Sequence, residues 1–554
     1  MEFNLAQVNH AVAAAIPDRE CIVWRDRRLT YGQVAERTNR LANHLVAAGL
    51  GAHTPRADLA GHESGQDHLA VFLHNGNEYL EAMLGAYKAR VVPFNVNYRY
   101  VAEELRYLLN DSKATAVVFH GAFADRVAEV RDQLPNLKVL LQVDDGSTAP
   151  LLDGAAWYED ALGAASPDVP NVDLSEDDLY ILYTGGTTGM PKGVLWRQAD
   201  IFVASLGGRG PGGEWDSVEA IVEAAKGGGS KMMPAPPFMH GAGHWMALTA
   251  FAGGNTVVIQ DDVVGLDADD VWRTIAKEGV SALLIVGDAF GRPLVDRLEA
   301  KGADGYDLTS LFAIISGGAP LNSTIKDRFL AALPGKMIVD AVGASETGTQ
   351  MSHVSGGGQQ ATTGTFTPGP GAVIVNPEMN GVLKAGHEEV GWLAQQGRVP
   401  LGYLGDAEKT AQTFPVIEGV RYSVPGDRAR LTADNIIELY GRDSVTINSG
   451  GEKIFAEEVE QALAHHPDVY DVTVAGRPSE KWGSEVVAIV QLREGAKGDE
   501  VMQKSLLSEA EKHIARYKLP KVFNFVDHVQ RSPSGKADYR WAKAQAEGYS
   551  APPG

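Results

Sequence analysis

The chain has 554 residues, of which 44% are apolar and 22% charged, and its formal net charge is -22. This length favours two or more domains, and the strong negative charge argues against nucleic acid or an anionic membrane surface as a partner. Cys21 is the sole cysteine, which excludes an intrachain disulfide and a cysteine-based metal cluster. We find no signal-peptide pattern and no run of ~18 apolar residues, so we expect a cytoplasmic protein without a transmembrane segment.

Residues from about 10 to 135 alternate between helical and extended patterns. Apolar spacing predicts helices over 34–45, 77–88 and 101–109, and short apolar runs predict strands over 71–73, 91–94 and 116–119. Strands that alternate with helices in this way are typical of a parallel sheet covered by helices. The first part of the chain is therefore predicted to be α/β.

A segment rich in glycine and threonine lies between two apolar runs, 179–183 and 194–196, that predict strands. Glycine allows main-chain N–H groups to converge on an anion, and threonine hydroxyls and a lysine add donors. The segment therefore predicts a phosphate-binding loop; the alternative is a flexible surface turn. It is not the loop of P-loop nucleotide triphosphatases, because Pro191 precedes the lysine and Gly193 follows it. The candidate phosphate ligands are Thr184, Gly185, Gly186, Thr187, Thr188 and Lys192.

Beyond residue 441 the pattern changes. Helices are predicted over 456–464 and 502–517, and strands over 469–474, 485–492 and 522–529. These elements indicate a compact α+β domain of about 110 residues, within the usual size of one domain. We place the boundary near 441–444.

The glycine- and threonine-rich loop resembles that of the adenylate-forming superfamily, which includes acyl-CoA synthetases, peptide-synthetase adenylation domains and luciferases. Further segments resemble this superfamily in the same order along nearly the whole chain. The resemblance implies a large N-terminal domain, 1–441, of helix-covered, mostly parallel sheets with a small distorted barrel. It also implies a small, mobile C-terminal α+β domain, 442–554, that rotates about a hinge near 441–444.

The segment that contains Gly343, Ala344, Ser345 and Glu346 follows a predicted strand, 337–339. By resemblance, the Ser345 hydroxyl contacts a phosphate and Glu346 binds Mg²⁺. One carboxylate is sufficient when phosphates and water complete the shell of this hard cation. The alternative for Glu346 is a solvated acid in a loop.

Two segments resemble the parts of the superfamily that bind the nucleoside. Asp427 resembles the aspartate that accepts hydrogen bonds from the ribose hydroxyls, and Arg442 resembles an arginine that also contacts the nucleotide. A carboxylate can accept from both hydroxyls of a vicinal diol. The segment that resembles the adenine contact consists of Gly317, Gly318, Ala319 and Pro320.

Lys536 resembles the lysine that promotes adenylation; an ordinary exposed lysine is the alternative. An ammonium group that contacts two anions more strongly in the transition state would lower the barrier to their reaction. His240 resembles a histidine that shapes the pocket for the carboxylate and AMP, although a lone histidine is more often structural. Gly450 and Gly451 resemble the loop presented for entry of CoA. Met232, Met233, Phe238, Trp245 and Met246 line an acyl pocket or simply belong to the core.

These resemblances imply an acid–CoA ligase with ATP, Mg²⁺ and CoA as cofactors. The carboxylic acid and ATP give acyl-AMP and pyrophosphate, and CoA then gives acyl-CoA and AMP. Residues 193–198 and 447–454 are similar to actinobacterial-type ligases for fatty acids and steroid side chains. We therefore expect a medium, long or branched fatty acid, or a steroid side-chain acid.

Several alternatives remain open. The acid could be an aryl acid, the acceptor could be the thiol of a carrier protein, and a nucleotide-binding protein without catalysis is a third class. A homodimer is one open oligomeric state. The glycine-rich regions 207–230 and 354–371 are surface loops or gates of the acyl pocket.

Overall fold

The computed structural model of the chain describes residues 2–184, 190–302, 305–359, 361–449, 452–479, 482–532 and 535–548. Its helices, in chain order, are α1 (Leu5–Ala15), α2 (Tyr31–Ala47), α3 (Asn77–Lys88), α4 (Ala102–Asp111), α5 (Ala124–Arg131), α6 (Tyr158–Ala164), α7 (Gln198–Ser205), α8 (Val218–Lys226), α9 (Gly241–Ala252), α10 (Ala268–Glu278), α11 (Gly287–Lys301), α12 (Ser323–Ala332), α13 (Ala407–Thr413), α14 (Ala456–Ala464), α15 (Glu500–Ala510) and α16 (Tyr539–Gly548).

The strands, in chain order, are β1 (Glu20–Trp24), β2 (Arg27–Thr30), β3 (His68–Phe72), β4 (Val92–Asn95), β5 (Ala116–His120), β6 (Val139–Val143), β7 (Ala156–Trp157), β8 (Leu179–Thr184), β9 (Lys192–Arg197), β10 (Arg209–Gly210), β11 (Gly213–Glu214), β12 (Lys231–Pro234), β13 (Thr256–Ile259), β14 (Ala282–Ile285), β15 (Ala313–Gly317), β16 (Met337–Ala344), β17 (Gly348–Ser355), β18 (Thr365–Pro368), β19 (Ala372–Val375), β20 (Gly391–Gln396), β21 (Gly402–Tyr403), β22 (Val416–Ile417), β23 (Val420–Ser423), β24 (Asp427–Leu431), β25 (Ile437–Arg442), β26 (Ile447–Ser449), β27 (Glu452–Ile454), β28 (Val469–Ser479), β29 (Gly483–Leu492) and β30 (Val522–Phe525).

The first sheet is parallel throughout, with strand order β4-β3-β5-β6-β7. β3 and β5 are buried along their whole length. A continuous apolar run without polar alternation is typical of a strand that is covered on both faces. The helix-covered parallel sheet predicted from the sequence is therefore confirmed.

Helix α3 is buried at every residue, including its charged ones. Buried charges need partners, because an unpaired one is costly. Glu81 forms an ion pair of 2.8 Å with Arg37, and Lys88 Nζ donates to Thr38 and Asn39 at 2.7 and 2.9 Å. These contacts fix α3 against α2. The charged residues of α3 therefore stabilise the packing of these two helices.

The second sheet begins as parallel strands and continues as antiparallel ones. β1, β13, β12, β14, β15 and β16 are parallel neighbours, and the order then continues β17-β18-β25-β24-β20-β23-β22 in antiparallel pairs. The sequence-based expectation of a small distorted barrel needs correction. The antiparallel strands remain hydrogen-bonded to β16 through β17, and the order of the described strands ends at β22, so they extend the main sheet and do not close on themselves.

The C-terminal region has its own sheet and core, as predicted. β28 and β29 are antiparallel, β30 is parallel to β29, and α14 and α16 pack on β28. The helix predicted over 502–517 is too long, since α15 ends at Ala510. After it, the amides of Lys512 and His513 bond carbonyls three residues back, which is turn geometry. Among the described helices, none combines the length and apolar character needed to cross a lipid bilayer.

Candidate active site

Glu346 lies in the turn between β16 and β17, where the parallel part of the second sheet ends. Its Oε1 accepts a hydrogen bond of 2.9 Å from the Tyr403 hydroxyl, and its carbonyl accepts one of 2.5 Å from Ser423 Oγ. The adjacent carbonyl of Ser345 accepts a bond of 2.8 Å from Trp196 Nε1. Burial, and then the charge of Glu346, raise the pKa of Tyr403 above its usual range. Tyr403 is therefore a neutral donor that orients the carboxylate without neutralising it.

The same turn is shaped by a close approach of two glycines. A Cβ on Gly343 would lie 2.2 Å from the carbonyl oxygen of Gly348, and Gly348 itself has a φ of +68°. The amide of Ala344 donates to Thr347 Oγ1 at 3.0 Å. A side chain larger than hydrogen at either glycine would displace the turn. The two glycines are therefore needed to hold Glu346 in its position.

The predicted phosphate-binding loop joins β8 to β9. Thr184, the last residue of β8, is the cross-strand partner of Lys192, the first residue of β9. Lys192 forms an ion pair with Asp406, and its Nζ lies 5.9 Å from the ring centroid of Tyr403. Lys192 and Glu346 therefore both meet Tyr403. The predicted phosphate ligands that lie outside the described residues are Gly185, Gly186, Thr187 and Thr188.

Asp427 and Arg442 face each other across the ladder of β24 and β25. They are cross-strand partners, and Arg442 Nε lies 3.3 Å from Asp427 Oδ1. Asp427 is the main cause of a raised pKa of Arg442, and Glu346 adds to it against the effect of burial. The sequence-predicted nucleotide ligands are thus brought together, and Arg442 lies in the electrostatic field of the predicted metal ligand.

Lys536 extends from the C-terminal domain toward the same groups. Although Lys536 is solvent-exposed, the surrounding protein lowers its pKa from the usual range. Desolvation is the largest cause and the charge of Arg442 the second, whereas Glu346 and Asp427 oppose the shift. The residues that act on Lys536 are therefore those predicted to bind the nucleotide and the metal.

The loop that carries Lys536 is anchored at both ends. Arg531 donates to Asp471 Oδ2 at 3.0 Å, and Gly535 adopts a φ of +77° beside Val286 and Ala289 at the start of α11. Arg531 belongs to the C-terminal domain, whereas α11 belongs to the N-terminal one. The loop therefore contacts both domains in this orientation.

His240 lies at the N-terminus of α9, and its Nε2 is shielded from solvent without a hydrogen-bond partner among the described residues. Burial lowers the pKa of His240 to about 3, and the charge of Lys536 is the second cause. His240 is thus a neutral imidazole that lies within the electrostatic field of Lys536. His244, one turn later, donates from Nδ1 to the Phe238 carbonyl at 2.7 Å and accepts at Nε2 from the Tyr180 hydroxyl at 2.5 Å, which fixes the loop before α9.

The segment predicted to contact adenine follows β15. Gly318 has a φ of +90°. A Cβ added to Gly318 would lie 3.7 Å from the side chain of Val286. Val286 also lies next to Gly535, so this segment is beside the loop that carries Lys536. A Cβ on Gly287 would lie 2.4 Å from the Pro320 carbonyl and 2.9 Å from the Ala319 side chain. The segment that includes Gly317 is therefore held beside the Lys536 loop by close packing against the start of α11.

The CoA loop and the acyl pocket are only partly described. Gly450 and Gly451 lie outside the described residues, between β26 and β27. Of the candidate acyl-pocket residues, Met233 and Phe238 are fully buried in two different core clusters. Met232, Trp245 and Met246 are half-buried.

Sequence reasoning missed Tyr403 and Asp406, which lie at the site. Tyr403 contacts Glu346, and Asp406 contacts Lys192. Tyr403 and Asp406 lie more than 50 residues from their partners in the chain. The pairing of β21 with β9 brings Tyr403 and Asp406 to Lys192, and Trp196 of β9 contacts the turn of Glu346. No local pattern around them indicated a role.

Among the described residues, no cluster of three or more His, Cys, Asp or Glu side chains is suited to hold a metal by itself. Glu346 is a lone carboxylate with a neutral orienting donor. Such a group fits Mg²⁺ only if the cation takes its remaining oxygen ligands from phosphates and water. The arrangement therefore fits a cation that arrives with a polyphosphate.

Comparison with known proteins shows the family of the chain. Residues 10–404 match the profile of the AMP-binding enzyme family, and residues 458–536 match that of the AMP-binding enzyme C-terminal domain. The chain belongs to the AMP-binding enzyme family. The resemblance to the adenylate-forming superfamily that the sequence motifs indicated is thereby confirmed.

The relatives of this AMP-binding enzyme include actinobacterial ligases. The chain is 57% identical to "Medium-chain acyl-CoA ligase Mig" of Mycobacterium avium, over 98% of each chain. It is 40% identical to "3-oxocholest-4-en-26-oate--CoA ligase" of Rhodococcus rhodochrous, over 98% of this chain and 96% of the relative. The fold matches the crystal structure of the anthranilate CoA ligase AuaEII with anthranoyl-AMP, with a TM-score of 0.81, 20% identity and 98% of each chain covered.

Proposed function

We propose that this AMP-binding enzyme is an ATP-dependent acid–CoA ligase, which joins a carboxylic acid to AMP and then transfers the acyl group to CoA. The observation that carries this proposal is the position of Lys536. A lysine of the C-terminal domain lies in the fields of Glu346 and Asp427, which belong to the N-terminal region, and of Arg442 at the predicted boundary. This is where a cation is needed if a carboxylate is to attack a phosphate.

In the first step the carboxylate attacks the α-phosphorus of ATP, and the bond from that phosphorus to the pyrophosphate oxygen breaks. Lys536 would contact both anions and stabilise the charge that they share in the transition state. Lys192, Thr184 and the loop between them would hold the β- and γ-phosphates. Asp427 would accept from the ribose hydroxyls, with Arg442 beside it. The adenine would lie against Gly317, Gly318, Ala319 and Pro320.

Glu346 would hold Mg²⁺, and Ser345 would contact a phosphate through its hydroxyl. Mg²⁺ would supply positive charge to the phosphate oxygens when bound. The turn of Gly343 and Ala344 keeps the carboxylate in position, and Tyr403 fixes its orientation. His240, neutral and half-buried, would border the carboxylate without adding charge.

In the second step the CoA sulfur attacks the acyl carbon, and the bond to AMP breaks. The two glycines Gly450 and Gly451 would face the cleft in this step. A rotation about residues 441–444 would exchange them for Lys536. The division into domains 1–441 and 442–554 stays a prediction.

For the acid we propose a fatty acid of medium chain length first, with long, branched and steroid side-chain acids as further candidates. The support is the similarity to a ligase named for medium-chain acids at 57% identity, and to one named for a steroid acid at 40%. An aryl acid and a carrier-protein acceptor are the alternatives. A cytoplasmic location and a homodimer also stay predictions from the sequence.

The test is release of pyrophosphate against a panel of acids, with and without CoA. The panel contains straight fatty acids of short to long chain, branched acids, a steroid side-chain acid and benzoates. We expect release with a medium-chain acid that is sustained only with CoA, together with acyl-CoA product. Pyrophosphate release without acyl-CoA would direct the search to a carrier-protein thiol, and nucleotide binding without release from any acid would contradict the proposal.

A further inference from the structure

Glu457 lies against the predicted hinge. It is the second residue of α14, in the C-terminal domain, and its carboxylate contacts Gly441, the last residue but one of β25. Gly441 has a φ of +112°, and a Cβ there would lie 1.7 Å from Glu457 Oε2. Glycine is therefore required at position 441 for two reasons. Its φ is one that other residues rarely adopt, and the carboxylate occupies the space that a side chain would need.

The Glu457 carboxylate has few partners for a group in this position. Oε1 accepts a long hydrogen bond of 3.5 Å from the Arg442 amide. Oε2 is shielded from solvent and has no hydrogen-bond partner among the described residues. Leaving a charged oxygen without a partner is unfavourable, so the neutral acid is the form that fits here.

The neighbouring acids act in the same direction. Glu460 on α14 and Asp427 on β24 both disfavour a further negative charge, and Tyr539 on α16 also faces Glu457. Arg442 on β25 attracts the ionised form of Glu457 and opposes the shift, but it is already paired with Asp427 at 3.3 Å. Burial is the main reason why the pKa of Glu457 is raised to about 8, with Glu460 as the second.

We infer that Glu457 is a positioning residue, which in its protonated form holds the end of β25 against α14 and so keeps Lys536 directed toward Arg442 and Asp427. This inference rests on the proposed function. Gly441 and Glu457 lie on opposite sides of residues 442–444, so a rotation there separates them. Once separated, the carboxylic acid meets water, loses its proton and becomes an ordinary glutamate. The orientation for acyl-AMP formation therefore binds a proton that the orientation for the CoA step releases.

The sign of the pH dependence follows. Below the usual glutamate pKa of 4.5, the acid is protonated in both orientations and pH has no effect. Between 4.5 and about 8, the rotated form loses its proton while the form with Glu457 against Gly441 keeps it. Rising pH over this range thus favours rotation, by up to about tenfold per pH unit. Above it the effect levels off.

The experiment measures the two half-reactions separately from pH 6 to 9, for the full-length wild type and Glu457→Gln. Formation of acyl-AMP is followed by exchange of labelled pyrophosphate into ATP, and the CoA step is followed from pre-formed acyl-AMP. Glutamine resembles the protonated acid but cannot ionise. We expect Glu457→Gln to form acyl-AMP at a rate within about twofold of wild type. The rate of the CoA step in wild type, divided by that in Glu457→Gln, should rise several-fold up to pH 8 and then level off. The ionisation of the CoA thiol affects both proteins equally and cancels in this ratio.

Two further variants make the outcome decisive. Glu457→Ala removes the contact, and we expect it to weaken acyl-AMP formation more than Glu457→Gln does. Glu458→Gln is the matched control, because Glu458 is its neighbour on α14 but pairs with Lys518 at 2.5 Å within the C-terminal domain.

The inference is overturned if the ratio of CoA-step rates of wild type to Glu457→Gln stays flat with pH, or if the ratio of wild type to Glu458→Gln changes equally, while both half-reactions still proceed. Absence of acyl-AMP formation from wild type with every acid instead overturns the proposed function. If Glu457→Gln fails to fold, the wild-type partition between the two steps still tests the inference: its failure to shift toward the CoA step between pH 6 and 8 overturns it.

Discussion

Lys192 forms an ion pair with Asp406, the residue that also caps α13. The lysine predicted to bind phosphate is therefore held by an internal counter-ion, and a phosphate must compete with a carboxylate for the same ammonium group. Asp406 uses separate oxygens for its two tasks. Oδ2 meets Lys192, whereas Oδ1 accepts a bond of 2.8 Å from the Lys409 amide.

Asp406→Asn separates these tasks, because asparagine caps helices as well as aspartate does but carries no charge. Lys192 is 42% exposed and Asp406 32%, so the pair is of the weak, partly solvated kind. We expect the KM for ATP to fall about twofold to fivefold with little change in kcat. Steady-state pyrophosphate release against ATP concentration measures this.

Glu408→Gln is the control for Asp406→Asn, since Glu408 lies on the same helix and bonds only Gln412 among the described residues, at 3.2 Å. It should leave the KM for ATP unchanged. A higher KM in Asp406→Asn would contradict the prediction and would mean that Asp406 aligns Lys192 for phosphate.

Tyr403→Phe removes the hydroxyl that donates to Glu346 and keeps the ring that packs near Phe414, with centroids 5.7 Å apart. Hydrogen bonds to charged groups contribute about 1.5–3 kcal/mol, so the loss should matter if Glu346 binds the cation. We expect the Mg²⁺ concentration for half-maximal rate to rise about tenfold or more. The measurement is the rate against Mg²⁺ at saturating ATP.

Tyr517→Phe serves as the control for Tyr403→Phe, because Tyr517 is an exposed tyrosine of the C-terminal domain. An unchanged Mg²⁺ dependence in Tyr403→Phe would argue that Glu346 is oriented by the turn alone.

Much of this site could be predicted because its local patterns are strong. The strand pair 179–183 and 194–196 appears as β8 and β9, and the helix predicted over 77–88 matches α3 at both ends. The positions of Glu346 and Lys536 follow from short segments whose glycines fix the backbone. The relation between Glu346 and Lys536, however, depends on the packing of two domains, and no sequence period encodes it.

The partners of the predicted residues were not predictable for the same reason. Asp406 and Tyr403 are brought to Lys192 and Glu346 by the pairing of β21 with β9, which joins distant parts of the chain. The barrel was expected from the resemblance alone. Whether antiparallel strands close or extend a sheet depends on edge pairing that single-strand patterns do not contain.

Lys536→Ala should abolish acyl-AMP formation, by about a hundredfold or more, because it removes the cation placed between two reacting anions. The CoA step from supplied acyl-AMP should continue, since it does not need that cation. Pyrophosphate exchange and acyl-CoA formation from acyl-AMP measure the two effects. Wild-type acyl-AMP formation in Lys536→Ala would contradict the assignment.

The pH dependence gives a second test of Lys536. Its pKa is lowered, first by desolvation and then by Arg442, so the ammonium loses its proton at a lower pH than a free lysine does. Acyl-AMP formation should therefore decline on the alkaline side before pH reaches 10.5. Lys536→Arg keeps its charge at every such pH, and its residual rate should show no alkaline decline.

Buried histidines should make the folded protein sensitive to acid. Burial lowers the pKa of His10, His120 and His244 to about 4 each, and that of His240 to about 3. Between pH 6.5 and about 4 the unfolded chain binds protons at these positions and the folded protein does not. Stability should therefore fall as pH falls through this range, by up to about 1.4 kcal/mol per pH unit for each histidine. His10 lies on α1, and Lys88 is the charged group that adds to the effect of burial on its pKa. In urea unfolding between pH 7.5 and 4.5, His10→Gln should therefore lower the slope of stability against pH by the contribution of one histidine. An unchanged slope would mean that His10 is protonated in the folded protein.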